Sequence, residues 1–195
     1  MSTEIQKIPT IAELTSDIDL AWRTDSLNFI LNQNPPKKWI AQHPFIKKEI
    51  VTNGVKSRVP YEYLPIDKVE HLLRKIFKEY KIEITGQGTS FNGVWVTVRV
   101  HFKSPTNNEW YFHDGIGASQ LQTKSGTSPA DMMNINNGAI SMAFPLAKTL
   151  AIKDACDLFG SLFGANLNRA DVAVFKMDDN IQEQAGKSNA EKMAL

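Results

Sequence analysis

Residues 138–164, GAISMAFPLAKTLAIKDACDLFGSLFG, form the most sustained apolar run of the chain and constrain its fold more than any other stretch. From Leu146 to Phe159 there is neither glycine nor proline. Ala147, Ala151 and Ala155 recur every four positions and so form one stripe of a helix. Ile152, Cys156 and Phe159 form a second. Alanine lets a neighbouring backbone come close, and two apolar stripes predict two packing partners, such as the chain's own sheet and a neighbouring subunit. Pro145 is either a first-turn residue or a kink in a longer helix. Gly160 and Gly164 offer positive-φ stops. A buried core helix accounts for the same pattern without any function.

The length, 195 residues, suits one domain of about 150 residues with mobile ends. No run approaches the length of a membrane span, so no membrane partner is expected. The first ten residues lack a basic region followed by an apolar one, so no secretory signal is expected either. A single cysteine excludes a disulfide framework and a cysteine metal cluster. These features together predict cytoplasmic residence. Charge is uneven along the chain. Residues 1–20 carry a net −3 and residues 171–195 a net −2, so a chain net of +1 leaves +6 on residues 21–170. A basic body between acidic ends is compatible with a polyanion partner.

Leu14–Ile30 contains a candidate short helix, with Ala21, Trp22, Leu27 and Ile30 on its apolar side. Pro35-Pro36 ends it. Trp39, Ile40 and Phe45 are expected to cover the body as part of an arm. Ile46–Pro60 predicts a hairpin about the turn signal Asn53-Gly54. Lys47, Lys48, Lys56 and Arg58 make this ribbon basic, either as a solvated surface or as a track for a phosphate backbone. A helix from Leu64-Pro65 to about Tyr80 places Val69, Leu72, Leu73, Ile76, Phe77 and Tyr80 on one face.

Residues 81–117 predict an antiparallel sheet, with a turn at Gly86-Gln87-Gly88. Val94, Val96, Val98 and Val100 share one face of a strand; Trp95, Thr97, Arg99 and His101 share the other. That second face suits the arm, a neighbouring copy or nucleotide bases. Asp114–Asn137 is a long link, which predicts function or mobility. Its Lys124-Ser125-Gly126-Thr127 lacks the order of a phosphate-binding loop. No catalytic constellation is evident: His43, His71, His101 and His113 have no metal-site spacing, and Cys156 is expected to be buried rather than nucleophilic. Asp154 and Asp157 share a helical side, with Lys153 as the simplest partner of Asp157.

Two stretches carry a resemblance. Tyr61-Glu-Tyr-Leu-Pro followed by Val69, Leu72 and Ile76-Phe77 resembles the first helix, with its entry, of the single-strand annealing domain of the Rad fifty-two type, which includes the phage Sak-like proteins. Thr149-Leu-Ala-Ile-Lys-Asp-Ala-Cys-Asp-Leu-Phe-Gly160 resembles that family's long helix, Thr-x-x-x-Lys-x-Ala-x-x-x-Phe-Gly. Between them, the strands ending in Asp114-Gly-Ile-Gly117 resemble its sheet and Gly-rich exit. The resemblance covers about 61–168.

It implies an α+β fold in which an antiparallel sheet packs on a long central helix, a β-β-β-α core. The chain divides into an N-terminal arm (1–45), a core (46–170) to which the resemblance assigns DNA binding and oligomerisation, and an acidic tail (171–195) whose polar composition predicts flexibility. The implied activity is ATP-independent binding and annealing of complementary single-stranded DNA in phage-type recombination and repair, inside the bacterial host. The implied partners are single-stranded DNA, further copies in a homo-oligomeric ring or filament, and a host or phage single-strand-binding protein through the tail. No enzyme activity, cofactor or metal is implied. The alternatives are a single-strand-binding protein without annealing activity and a structural assembly protein.

The family's DNA-binding lysine falls on Lys153, whereas its two arginines fall on Asp154 and Asp157. Positive charge for phosphate must therefore come from elsewhere too: Lys56, Arg58 and Arg99 beside Lys153, then Lys124 and Arg169, with Lys47, Lys48 and Lys103 in support. A competing reading has Asp154 and Asp157 hold a divalent ion that bridges to phosphate.

Overall fold

The structure, a computed structural model, describes residues 18–52, 55–128, 131–170, 172–173 and 175–176. The elements in order are α1 (Ile18–Leu31), a 3-10 turn (Lys37–Trp39), β1 (Ala41–Thr52), β2 (Val55–Tyr63), α2 (Ile66–Ile76), β3 (Tyr80–Ser90), β4 (Gly93–Lys103), β5 (Trp110–Gln120), a 3-10 turn (Met132–Asn134), α3 (Ala139–Asp157) and a last 3-10 turn (Ser161–Phe163). β1 and β2 form a two-stranded ribbon, and β3-β4-β5 form a separate antiparallel sheet. The long helix α3 packs on β4 and β5, so the fold is α+β with a β-β-β-α core. The turn expected at Asn53-Gly54 and most of the tail lie outside the described residues, although Thr52 pairs with Val55 across that turn.

The alternation read in β4 is the buried face of the sheet: Val94, Val96, Val98, Val100 and Phe102 are all buried. Their β5 partners on that face include Gly115, opposite Val98, and Gly117, opposite Val96. A Cβ at Gly115 would collide with the Ala151 carbonyl oxygen and the Ala155 nitrogen; one at Gly117 would collide with the Ala147 carbonyl oxygen and the Ala151 nitrogen. The helix backbone therefore lies directly on the strand backbone. The alanine stripe extends back through Ala143 to Ala139, and all five alanines are buried. Phe77, Phe102, Phe159 and Phe163 close one end of this core, with ring centroids 4.5–4.9 Å apart from Phe77 through Phe159 to Phe163.

Several expectations are corrected. α3 begins at Ala139, with Gly138 as its left-handed N-cap (φ 76°), so Pro145 lies inside the helix. Its missing N–H is tolerable there because Pro145 and Ser141, four residues back, are both exposed to water. The second stripe, Ile152, Cys156 and Phe159, is buried in the chain's own core and offers nothing to a neighbour. Gly86 and Gly88 are not a turn but lie within β3, beneath the Trp95 ring, whose atoms come within 3.2 Å and 2.8 Å of where a Cβ would stand at the two positions. The turn is Phe91-Asn92, between the paired Ser90 and Gly93. α2 stops at Ile76, because β3 already starts at Tyr80. Asp114–Gly117 belongs to β5, so the link is shorter than its composition suggests and is pinned by a Thr123–Ile135 bridge. β1 begins at Ala41, so the ribbon crosses the expected arm boundary at 45.

Candidate nucleic-acid interface

A cavity of about 660 Å³ runs between the ribbon, the outer edge of β5 and α3. Its ribbon wall carries His43, Ile46, Tyr61 and Tyr63; its floor is Ile116–Ala118; its helix wall carries Leu146, Leu150, Lys153, Asp154 and Asp157. The ribbon is tied to the body by the segment after α3. The Glu62 N–H donates to Asn168 Oδ1 (3.0 Å), and Asn168 Nδ2 donates to the Glu62 carbonyl (2.6 Å). Lys48 Nζ donates to the Leu167 carbonyl at 3.4 Å.

Lys153 is half-buried on the helix wall, with Nζ 4.6 Å from the centroid of the Tyr63 ring. Burial lowers its pKa, and the nearby Asp157 opposes that shift. It makes no ion pair with Asp157 within 4 Å; the cation is held by a π face instead. Asp154 has a structural task. Its Oδ2 accepts the Ile116 N–H at 3.0 Å, satisfying a donor on the open edge of β5. An arginine at 154 could not do this.

Asp157 keeps an exposed surface, yet the groove walls strip water from its carboxylate. Desolvation first, then the charge of Asp154, push its pKa up to about 6, against the pull of Lys153 and Arg169. The folded value exceeds the unfolded value near 3.8. The folded chain therefore holds this proton more tightly, and the stabilisation that results is full below about pH 4 and lost as pH rises through about 6. We expect Asp157→Asn to be more stable than wild type at pH 8, by about 1 kcal/mol after solvent screening or roughly 2–4 °C in Tm. The advantage should shrink as pH falls from 6 to 4. Thermal melts across that range check it; a pH-independent difference contradicts it.

The remaining candidate residues divide. Lys47, Lys56 and Arg58 share one ribbon face by strand alternation, opposite the face of Tyr61 and Tyr63 that lines the groove. Arg58 pairs with Glu49 at 3.2 Å. On the outward sheet face, Arg99 clamps Asp114 through two bonds of 2.7 and 2.8 Å and stacks 4.0 Å over Phe112. This pair lowers the Asp114 pKa and raises that of Arg99. Lys103 binds Glu79 at 2.9 Å. Arg99 and Lys103 are thus already engaged. Lys47, Lys56, Lys124 and Arg169 form no ion pair among the described residues and are exposed. Lys124 sits in a turn where its carbonyl accepts from Thr127 Oγ1 at 2.6 Å.

Cys156 is fully buried, and burial pushes its thiol pKa upward, so it is no nucleophile. Among the described residues, no three His, Cys, Asp or Glu side chains gather to hold a metal ion, and no helix is long and apolar enough to cross a membrane. Neither a family model nor a curated protein sequence matches the chain.

Proposed function

We propose that this protein binds and anneals complementary single strands of DNA without nucleotide hydrolysis, in recombination of the phage type. The observation that carries the reading is the groove, open to solvent, with Lys153 on its wall and aromatic rings beside it, next to a ribbon whose other face is basic. A single strand laid there meets positive charge for its phosphates and ring faces for its bases. The β-β-β-α core and its helix-on-sheet packing agree with the annealing-family resemblance. Pairing of complementary strands is downhill, so the protein needs only to hold a strand extended, neutralise phosphates and leave pairing edges free.

Self-association accompanies this reading. Ile140 and Met142 are 48% and 69% exposed on the first turn of α3 and do not line the groove. A second copy would cover apolar surface there, and a ring or filament would place many grooves in line. The experiment is a salt titration of single-strand affinity without ATP. We expect log K to fall by about 0.7 per phosphate contact for each tenfold rise in salt. A salt-insensitive isotherm contradicts a groove that reads phosphates.

A further inference from the structure

The ribbon carries a feature that the fold does not use. Between Gln42 and Lys47 the register shifts, so that four residues of β1 stand against Tyr61 alone. His43 closes this excursion: its Nδ1 accepts the N–H of Phe45 at 3.2 Å and of Ile46 at 2.9 Å, which puts the ring proton on Nε2. Pro44 restricts the backbone further. The product is a braced bulge that displays Phe45 with 86% of its surface exposed. Phe45 was expected to cover the body, and the bulge turns it out into solvent instead.

Phe45 tops a line of rings. The Lys153 ammonium lies 4.6 Å from the centroid of Tyr63, the Tyr63 and His43 centroids are 6.4 Å apart, and those of His43 and Phe45 are 6.3 Å apart. A half-buried cation at one end and an open π face at the other suit a phosphate and a base at different positions along one single strand.

We infer that Phe45 is a base-stacking residue, on which a nucleobase of a single strand held in the groove lies face to face. The inference rests on the proposed single-strand-binding reading and adds the source of its selectivity. Every base has a π face, so the contact is indifferent to sequence. In a duplex those faces are already stacked on one another, so the same residue discriminates against double strands.

The test compares three probes of equal length: oligothymidylate, an abasic deoxyribose-phosphate oligomer and a duplex. Phe45 is exposed enough for Phe45→Ala to leave the fold intact. We expect Phe45→Ala to lose roughly tenfold in affinity for oligothymidylate, with no change for the abasic oligomer and a smaller preference over duplex. Phe45→Trp should retain the affinity, with added fluorescence relative to wild type that oligothymidylate quenches. Equal losses on both single-stranded probes, or no loss on either, overturn the stacking role. So does a drop in assembly mass for Phe45→Ala with unchanged oligothymidylate affinity, which assigns the residue to a contact between copies. If wild type binds neither single-stranded probe, the single-strand reading itself fails.

Discussion

Gly117→Val should abolish cooperative folding. The new side chain would enter the space of the Ala147 carbonyl and the Ala151 nitrogen, and these are backbone atoms of a helix that cannot rotate aside. Overpacking in cores costs about 1–3 kcal/mol where neighbouring side chains adjust. Here the whole of α3 must lift from β5, exposing the alanine stripe and the valines of β4. The loss then approaches the entire stability of about 5–15 kcal/mol usual for a domain. Gly88→Ala is the informative comparison. Its Cβ meets only the Trp95 indole, on the solvent side of the sheet, and that ring can tilt. Circular dichroism and thermal melts should show a folded Gly88→Ala and no transition for Gly117→Val. A stable Gly117→Val would mean that α3 does not rest on β5 as described.

Lys153→Glu should give the largest loss of single-strand affinity among the groove variants, roughly 10- to 100-fold, the worth of one charge-assisted hydrogen bond. Among the described residues lining the groove, Lys153 is the one lysine or arginine, and it shares the helix wall with Asp154 and Asp157. Reversing its charge leaves that wall wholly acidic. Asp157→Asn should act in the opposite sense and tighten binding above about pH 6, where the wild-type carboxylate is ionised. Asp154→Ala should behave differently again, because it unpairs the Ile116 N–H and disturbs the β5 edge. Lys56→Ala combined with Arg58→Ala tests the other ribbon face; a loss smaller than that of Lys153→Glu is expected. Fluorescence anisotropy with a labelled oligonucleotide measures all four. Unchanged affinity in Lys153→Glu would remove the groove from the binding surface.

The helix and the strand it covers were legible in the sequence because each obeys a local period. Alanine every fourth residue and valine every second residue state which faces are buried. What escaped local reasoning depends on contacts far apart in the chain. Gly86 and Gly88 look like a turn until Trp95 is placed across them. The task of Asp154 stays hidden until the Ile116 N–H is found beside it, 38 residues away in the chain. Arg99 looks like a free phosphate ligand until Asp114 comes opposite it in register. Pro145 was ambiguous because a proline on a solvent-facing turn of a helix leaves few marks in sequence, although Ala139 and Ala143 continue the four-residue period through it. The bulge around Phe45 has a signal in hindsight: His43-Pro44 interrupts the alternation of β1 just where the register shifts.

Annealing, rather than binding, is the claim on which the account depends. The direct measurement is the pairing rate of two complementary oligonucleotides, each labelled, mixed with the full chain in the absence of ATP. The account predicts pairing faster than in protein-free solution, with the gain lost in Lys153→Glu and at high salt. Both strands bound at saturating protein, yet pairing no faster than in its absence, would contradict it and leave a binding module that protects single strands without joining them.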